Sequence, residues 1–205
     1  MTKRKSNRGY TLVEMIVVIA IIAVVAGLSL ISITLIHSAK AKNASTTVDA
    51  QISTLITKSK NMSSDRAGWQ YAARIYSDER GAYYFQKGYY DPKTKTYDFK
   101  DTDTEGEGKG IALSSYVVIK YTGTCPNVAF DKGTMTGTED INLTVDDHEV
   151  KDLCTAKGNP GGGLFIRFAK DGTCESGVGD IRFYKRNGNI VAHEYIRANG
   201  SHQCR

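Results

Sequence analysis

The side chains of this sequence that could carry out chemistry are four cysteines and four histidines. They are Cys125, Cys154, Cys174, Cys204, His37, His148, His193 and His202. No C-x-x-C pair is present, so a structural zinc site is not indicated, and the closeness of His202 to Cys204 is interpreted as accidental. No histidine has a nucleophile motif beside it, and the sequence lacks G-x-S-x-G, Walker and H-E-x-x-H motifs. We therefore predict that the protein is not an enzyme, has no catalytic residue and holds no metal or cofactor.

The element that must position the rest of the chain is an apolar segment near the N-terminus. Four basic residues and no acidic one occupy positions 1–9, and Glu14 is the only charged residue from 10 to 36. These 27 residues would form a helix of about 40 Å, against about 30 Å of membrane hydrocarbon. We expect a single membrane span with the basic N-terminus in the cytoplasm and the C-terminal region outside. No A-x-A cleavage site follows, so the helix is expected to stay in the mature protein.

The residues at the start of this segment carry a resemblance. Gly9-Tyr10-Thr11-Leu12-Val13-Glu14, after a short basic leader and before an apolar helix, resembles the class III signal of type IV pilins and pseudopilins. The resemblance implies that prepilin peptidase removes residues 1–9, cutting between Gly9 and Tyr10, and that the Tyr10 amine is then methylated. Tyrosine stands where the family more often has phenylalanine.

Glu14 would be the fifth residue of the mature chain. A carboxylate in an apolar helix needs a partner, and the new amine at Tyr10 of a neighbouring subunit can supply one as subunits pack into a filament. Glu14 would then set the axial register of assembly with other pilins. The alternative is a signal-anchor helix whose Glu14 reaches the cytoplasmic membrane surface.

Residues 37–62 continue as an amphipathic helix. Apolar residues recur at helical spacing, at Ala41, Ala44, Val48, Ile52, Leu55, Ile56 and Met62. This narrow stripe predicts that the helix runs to about residue 61 and packs on a sheet. A helix lying on the membrane surface is the alternative, but the polar face is rich in serine and threonine rather than basic residues.

Residues 63–205 are predicted to form an extracytoplasmic head rich in β-strands, which makes the fold α+β. Two aromatic-rich strands flank the SDERG turn at 77–81, and their tyrosines belong on strand faces or form a platform for a partner. Further strands are expected at 115–121 and 141–145. Three C-terminal strands, at 164–169, 180–185 and 190–197, are predicted to follow one another as a meander.

The cysteines are expected to form disulfides, because the head would be exported and their number is even. Four cysteines allow three pairings. In the predicted meander, Cys174 follows the first strand and Cys204 follows the third, at the same end of the sheet. This favours a Cys174–Cys204 disulfide and leaves Cys125–Cys154 as the second. On the chain-entropy model, each would stabilise the folded head by about 3.5 kcal/mol.

The C-terminal strands carry a second, weaker resemblance. The run F-x-K-D-G-T, a G-x-I-R-F strand and a final I-x-A-N-G turn, within 164–200, resemble GspH/FimT-type minor pseudopilins and the minor pilins of competence systems. The resemblance implies a sheet or sandwich packed on the amphipathic helix. It also implies a structural subunit of a type IV pilus or of a pseudopilus of type II protein secretion.

The net charge of +5 comes mostly from the leader, whose four charges leave about +1 for the mature chain. A basic C-terminal set remains, comprising Arg182, Lys185, Arg186, Arg197 and Arg205. Because basic residues on a sheet edge can neutralise phosphates, the alternative function is a minor pilin that binds DNA for uptake. A solvated sheet face is the more ordinary interpretation of the same residues.

Overall fold

A computed structural model describes residues 10–61, 68–100, 110–131, 133–153, 162–186 and 188–204, with the backbone alone for 28–34. Gly9, Met62, Cys154 and Arg205 therefore lie outside the described residues. The chain divides into two compact units, one ending at Ile36 and one beginning at His37.

The first unit contains the start of helix α1, Leu12–Asn61. As the sequence indicates, this part of α1 has a largely apolar surface. The large apolar side chains from Leu12 to Val25 that are described as exposed have 47% to 77% of their surface accessible. A membrane span was expected at 10–36. Among the residues with described side chains, no helix is both long enough and apolar enough to cross a membrane.

The second unit contains the rest of α1 and the strands. The helical stripe predicted from sequence is buried, at Ala41, Ala44, Val48, Ile52, Leu55 and Ile56. These side chains belong to the main core, together with residues from strands throughout the sheet. Spacing of three and four residues therefore places one face of the helix on the sheet, as the periodicity predicts.

The described strands form one sheet in which all pairs are antiparallel. They are β1 Gln70–Ser77, β2 Tyr83–Asp91, β3 Thr96–Asp98, β4 Ile111–Ser114, β5 Val117–Asp131, β6 Thr136–Glu149, β7 Leu164–Phe168, β8 Cys174–Ser176, β9 Val178–Lys185, β10 Ile190–Ile196 and β11 His202–Cys204. A 3-10 helix, Val150–Asp152, follows β6. The order is β11-β10-β9-β5-β6-β3-β2-β1-β7-β8, with β4 on β2. The predicted α+β fold with an antiparallel sheet is confirmed.

Alternation along β1 explains how the sheet supports two cores. Ala73 and Ile75 lie in the main core beneath the helix, whereas Ala72 lies in a second core on the other face. The second core is aromatic and consists of Ala72, Tyr90, Tyr97, Phe99, Val128, Phe130 and Phe165. Apolar residues on both faces of the sheet therefore have partners within the head.

The predicted meander of three C-terminal strands is wrong. β7 pairs with β1 and β8, whereas β9 pairs with β5 and β10. The long strand β5, predicted only at 115–121, extends from Val117 to Asp131 and occupies the edge of β9 that the meander assigned to β7. The sequence patterns identified β7, β9 and β10, but they carried no information about the partner of each strand.

Candidate functional site

The start of α1 is shaped by a reciprocal pair of hydrogen bonds. The Glu14 amide donates to Thr11 Oγ1 at 3.2 Å, and the Thr11 amide donates to Glu14 Oε2 at 3.4 Å. This is a capping box, in which the residue before the helix and the third helical residue each satisfy an amide of the other. The T-x-x-E spacing could have predicted it from the sequence.

The surface around this cap is open. Tyr10 has 81% of its surface accessible, and Leu12 and Val13 are also exposed. Glu14 is exposed too. A contiguous apolar helix surface with one carboxylate at its start can pack against apolar neighbours and offer that carboxylate to a cation. Gly9, on the other side of the expected cleavage, lies outside the described residues.

The cysteines do not take the positions that the meander implied. The short strand β11 carries Cys204 back along β10 to lie opposite Glu194. The Cys174 amide instead donates to Ala198 O, which is four residues beyond Glu194 along the chain, or roughly 13 Å of extended backbone. Disulfides require Cα atoms within about 7 Å.

Cys174 and Cys204 are both thiols in the structure. The Cys174 thiol donates to Ser176 O at 3.0 Å, and burial raises its pKa to about 12. Cys204 Sγ lies 3.0 Å from Ser45 Oγ. The favoured Cys174–Cys204 bond is therefore not formed here, and the pairing of Cys125 with Cys154 stays a prediction because Cys154 lies outside the described residues.

The basic C-terminal residues are not brought into one surface. Arg182 Nε lies 2.8 Å from Asp180 Oδ2, and its Nη1 lies 3.5 Å from Asp147 Oδ1. Lys185 ends β9, whereas Arg197 follows β10 at the opposite end of the same strand pair, because Gly179 pairs with Ile196. Arg186 follows Lys185, and Arg205 lies outside the described residues. Acidic neighbours and separation both weaken a phosphate-binding surface among the described residues.

The structure does assemble a cluster that the sequence pattern did not indicate. Asp49 of α1, Glu194 of β10 and His202 of β11 each offer one ligand atom, and these atoms all lie within 4.8 Å of one another. His202 Nε2 is 3.4 Å from Asp49 Oδ1 and 2.8 Å from Ser53 Oγ. We call Asp49, Glu194 and His202 the carboxylate–imidazole cluster.

Glu194 is the unusual member of this cluster. Its side chain is fully buried, and neither carboxylate oxygen has a hydrogen-bond partner of normal geometry among the described residues. Burial raises the pKa of Glu194 to about 8; the charge of Asp49 also raises it, and the Cys204 thiol lowers it. A buried carboxylate without a compensating group is costly.

Two spacings in the sequence could have indicated parts of this site, although neither shows that the parts meet. His202 and Cys204 are two residues apart, which places both on the same face of a strand. Ser45, Asp49 and Ser53 are four apart, which places them along one line of the helix. What the sequence did not show is that β11 exists and lies beside this line.

Comparison with known proteins gives a match in the N-terminal segment. Residues 4–35 match the family model of the prokaryotic N-terminal methylation motif. The match supports a prepilin-like protein of the type IV pilin and pseudopilin class, which is a class of structural subunits. No curated protein and no solved structure matches the chain.

Proposed function

We propose that the protein is a minor pilin or pseudopilin that is processed by prepilin peptidase and joins a type IV pilus or a secretion pseudopilus. The observation that carries the proposal is the methylation motif at residues 4–35, which leads into the exposed apolar helix. In this proposal Tyr10 becomes the methylated N-terminal residue. The helix holds the subunit in the cytoplasmic membrane, with the head outside, until assembly moves it into contact with other pilins.

The minor role and the likeness to GspH/FimT-type subunits belong to the same proposal. They rest on the C-terminal motifs, whose turns meet in space: the Cβ of an alanine at Gly200 would lie 1.9 Å from Gly172 O. Gly172 lies in F-x-K-D-G-T and Gly200 in I-x-A-N-G. Two motifs separated in sequence therefore form one contact in the fold, which supports interpreting them together.

Glu14 has two roles in this proposal. Within the free subunit it caps α1 through Thr11. In the filament its charge pairs with the amine of a neighbouring Tyr10, an interaction favoured by the apolar surroundings that both groups enter. The two roles are separable, because glutamine can take the place of glutamate in a capping box but carries no charge.

The experiment compares Glu14→Gln with Glu14→Ala in cells that contain prepilin peptidase and the assembly system. Immunoblots measure removal of residues 1–9, and sheared filament fractions measure incorporation. We expect both variants to be processed and both to be depleted from filaments relative to the wild type. Glu149→Gln, which removes a partly exposed carboxylate of the head that pairs with Lys151, is the matched charge control. Wild-type incorporation of Glu14→Gln would contradict the charge-pairing role.

A further inference from the structure

We propose that the carboxylate–imidazole cluster, Asp49, Glu194 and His202, binds a divalent transition metal ion of the zinc class, with the Cys204 thiolate as fourth ligand. The proposal is independent of assembly into a filament. It concerns a site inside the head, where α1, β10 and β11 meet.

The buried carboxylate is the first reason to infer a ligand. Glu194 has no exposed surface, and its two oxygens have no hydrogen-bond partner of normal geometry among the described residues. Asp49, whose charge acts on Glu194, is also acidic. Where both carboxylates are ionised they repel, and a metal ion between them would compensate both charges.

The donor set is the second reason. Carboxylate oxygen, imidazole nitrogen and thiolate sulfur are all zinc ligands, whereas calcium and magnesium take oxygen ligands almost entirely. Ligand atoms about 2.0–2.1 Å from a tetrahedral zinc ion lie about 3.4 Å from one another. His202 Nε2 and Asp49 Oδ1 already have this separation, at 3.4 Å. Glu194 can approach by rotation of its side chain.

Cys204 lies on the same strand as His202 but outside the set of ligand atoms that are within 4.8 Å of one another, so it would join the set by a change of side-chain rotamer. It pairs directly with Glu194 across β10 and β11, and its sulfur contacts Ser45 of the helix at 3.0 Å. On ligation the thiol would lose its proton to solvent and the sulfur lone pair would bind the metal, while His202 Nε2 would exchange its 2.8 Å contact with Ser53 Oγ for the metal. Nothing is oxidised or reduced in this step.

A metal at this point would join three elements of the head. Asp49 lies on α1, Glu194 on the inner strand β10, and His202 on the three-residue edge strand β11. Because a three-residue strand has few ladder bonds, an ion that binds only the folded state would stabilise this edge.

The test uses the full-length protein in detergent, stripped with chelator and dialysed. Isothermal titration with zinc chloride measures affinity and stoichiometry, and cobalt(II) serves as a spectroscopic probe. We expect one zinc ion per chain. Cobalt should give the intense visible bands of a tetrahedral site, together with a near-ultraviolet sulfur-to-cobalt band that Cys204→Ser removes.

The variants are Glu194→Gln and His202→Gln, each expected to weaken zinc binding by at least about tenfold. His193→Gln is the matched control, since His193 neighbours Glu194 on β10 but faces Asp180 on the other side, 3.2 Å away. It should bind zinc as the wild type does. Wild-type affinity of Glu194→Gln, or no binding by the wild type, would overturn the site. Absence of the sulfur band would overturn ligation by Cys204.

Folding of the variants is checked by circular dichroism in the presence of chelator. Glu194→Gln keeps the side-chain shape and cannot ionise, so we expect it to melt no lower than the wild type without metal. Zinc should raise the melting temperature of the wild type and of His193→Gln, and should leave that of Glu194→Gln unchanged. An equal zinc-induced rise in all three would contradict the assignment.

Discussion

Replacing Gly200 with alanine tests the contact between the two C-terminal turns. Gly200 has a φ of 76°, and its amide donates to Arg197 O at 2.9 Å. An added Cβ would lie 1.9 Å from Gly172 O. Because the obstructing atom belongs to the backbone, it cannot rotate away, and one of the two turns must move.

The magnitude has two parts. A left-handed conformation costs an L-residue about 1–2 kcal/mol relative to glycine. Overpacking against fixed atoms adds about 1–3 kcal/mol. We therefore expect Gly200→Ala to lower the free energy of unfolding by about 3 kcal/mol. For a domain of this size that corresponds to a fall in melting temperature of about 6–12 °C.

Gly81 supplies a matched control. Its φ is 78°, and its amide donates to Asp78 O at 3.0 Å, so it has the same conformation in the same kind of turn. An added Cβ there would meet nothing within 4 Å. Gly81→Ala should therefore lose only the conformational part, about 1–2 kcal/mol.

The assay is urea unfolding of residues 37–205, followed by far-ultraviolet circular dichroism, since the described core of the head begins at Ala41. The difference between Gly200→Ala and Gly81→Ala isolates the turn contact from the cost of the backbone conformation. Equal losses in the two variants would refute the contact between the Gly172 and Gly200 turns.

Three further predictions concern the head. Ile52→Ala removes a fully buried side chain of the helical stripe and should cost about 2–5 kcal/mol in urea unfolding; a loss below about 1 kcal/mol would contradict packing of the helix on the sheet. The hydrogen bond from Lys120 lowers the pKa of Asp147, so the pair stabilises the folded head above the ordinary carboxyl pKa and this contribution is lost as pH falls through the lowered value. Melting curves across acid pH should show a shallower decline for Lys120→Gln, and an unchanged decline would count against the pair. Peptide mapping under non-reducing conditions should place Cys174 and Cys204 in separate peptides. A peptide pair linked through these two cysteines would contradict the arrangement of β8 and β11 described above.

The parts of the fold that the sequence predicted are those fixed by local periodicity. Spacing of three and four residues identified the face of α1 that is buried, aromatic-rich runs beside a turn identified β1 and β2, and alternation identified β7 and β9. These patterns reflect which side of an element faces the core, and that side is decided residue by residue. The capping box of Thr11 and Glu14 could also have been predicted from the sequence, because its two partners are three positions apart.

The partners of the strands could not be predicted in the same way. β5 pairs with β6 on one edge and with β9 on the other, although β9 begins 47 residues after the end of β5, from Asp131 to Val178. Alternation is satisfied by any neighbour that buries the same face. The expected Cys174–Cys204 pairing rested on the meander, because the sequence indicated neither β8, which carries Cys174, nor β11, which carries Cys204.

The cluster of Asp49, Glu194 and His202 could not be predicted for the same reason, because its residues come from α1, β10 and β11. The contacts around this cluster also stabilise β11 beside the helix. Ser45 contacts Cys204, and Ser53 and Asp49 both contact His202. The helix therefore contacts the strands through two sets of side chains. One is the apolar stripe that packs on the sheet, and the other is a polar line, Ser45, Asp49 and Ser53, that contacts the edge strand. Since β11 pairs with β10 over only three residues, contacts to the polar line must supply much of its stability. A change at Asp49 should accordingly affect the edge strand before it affects the apolar core.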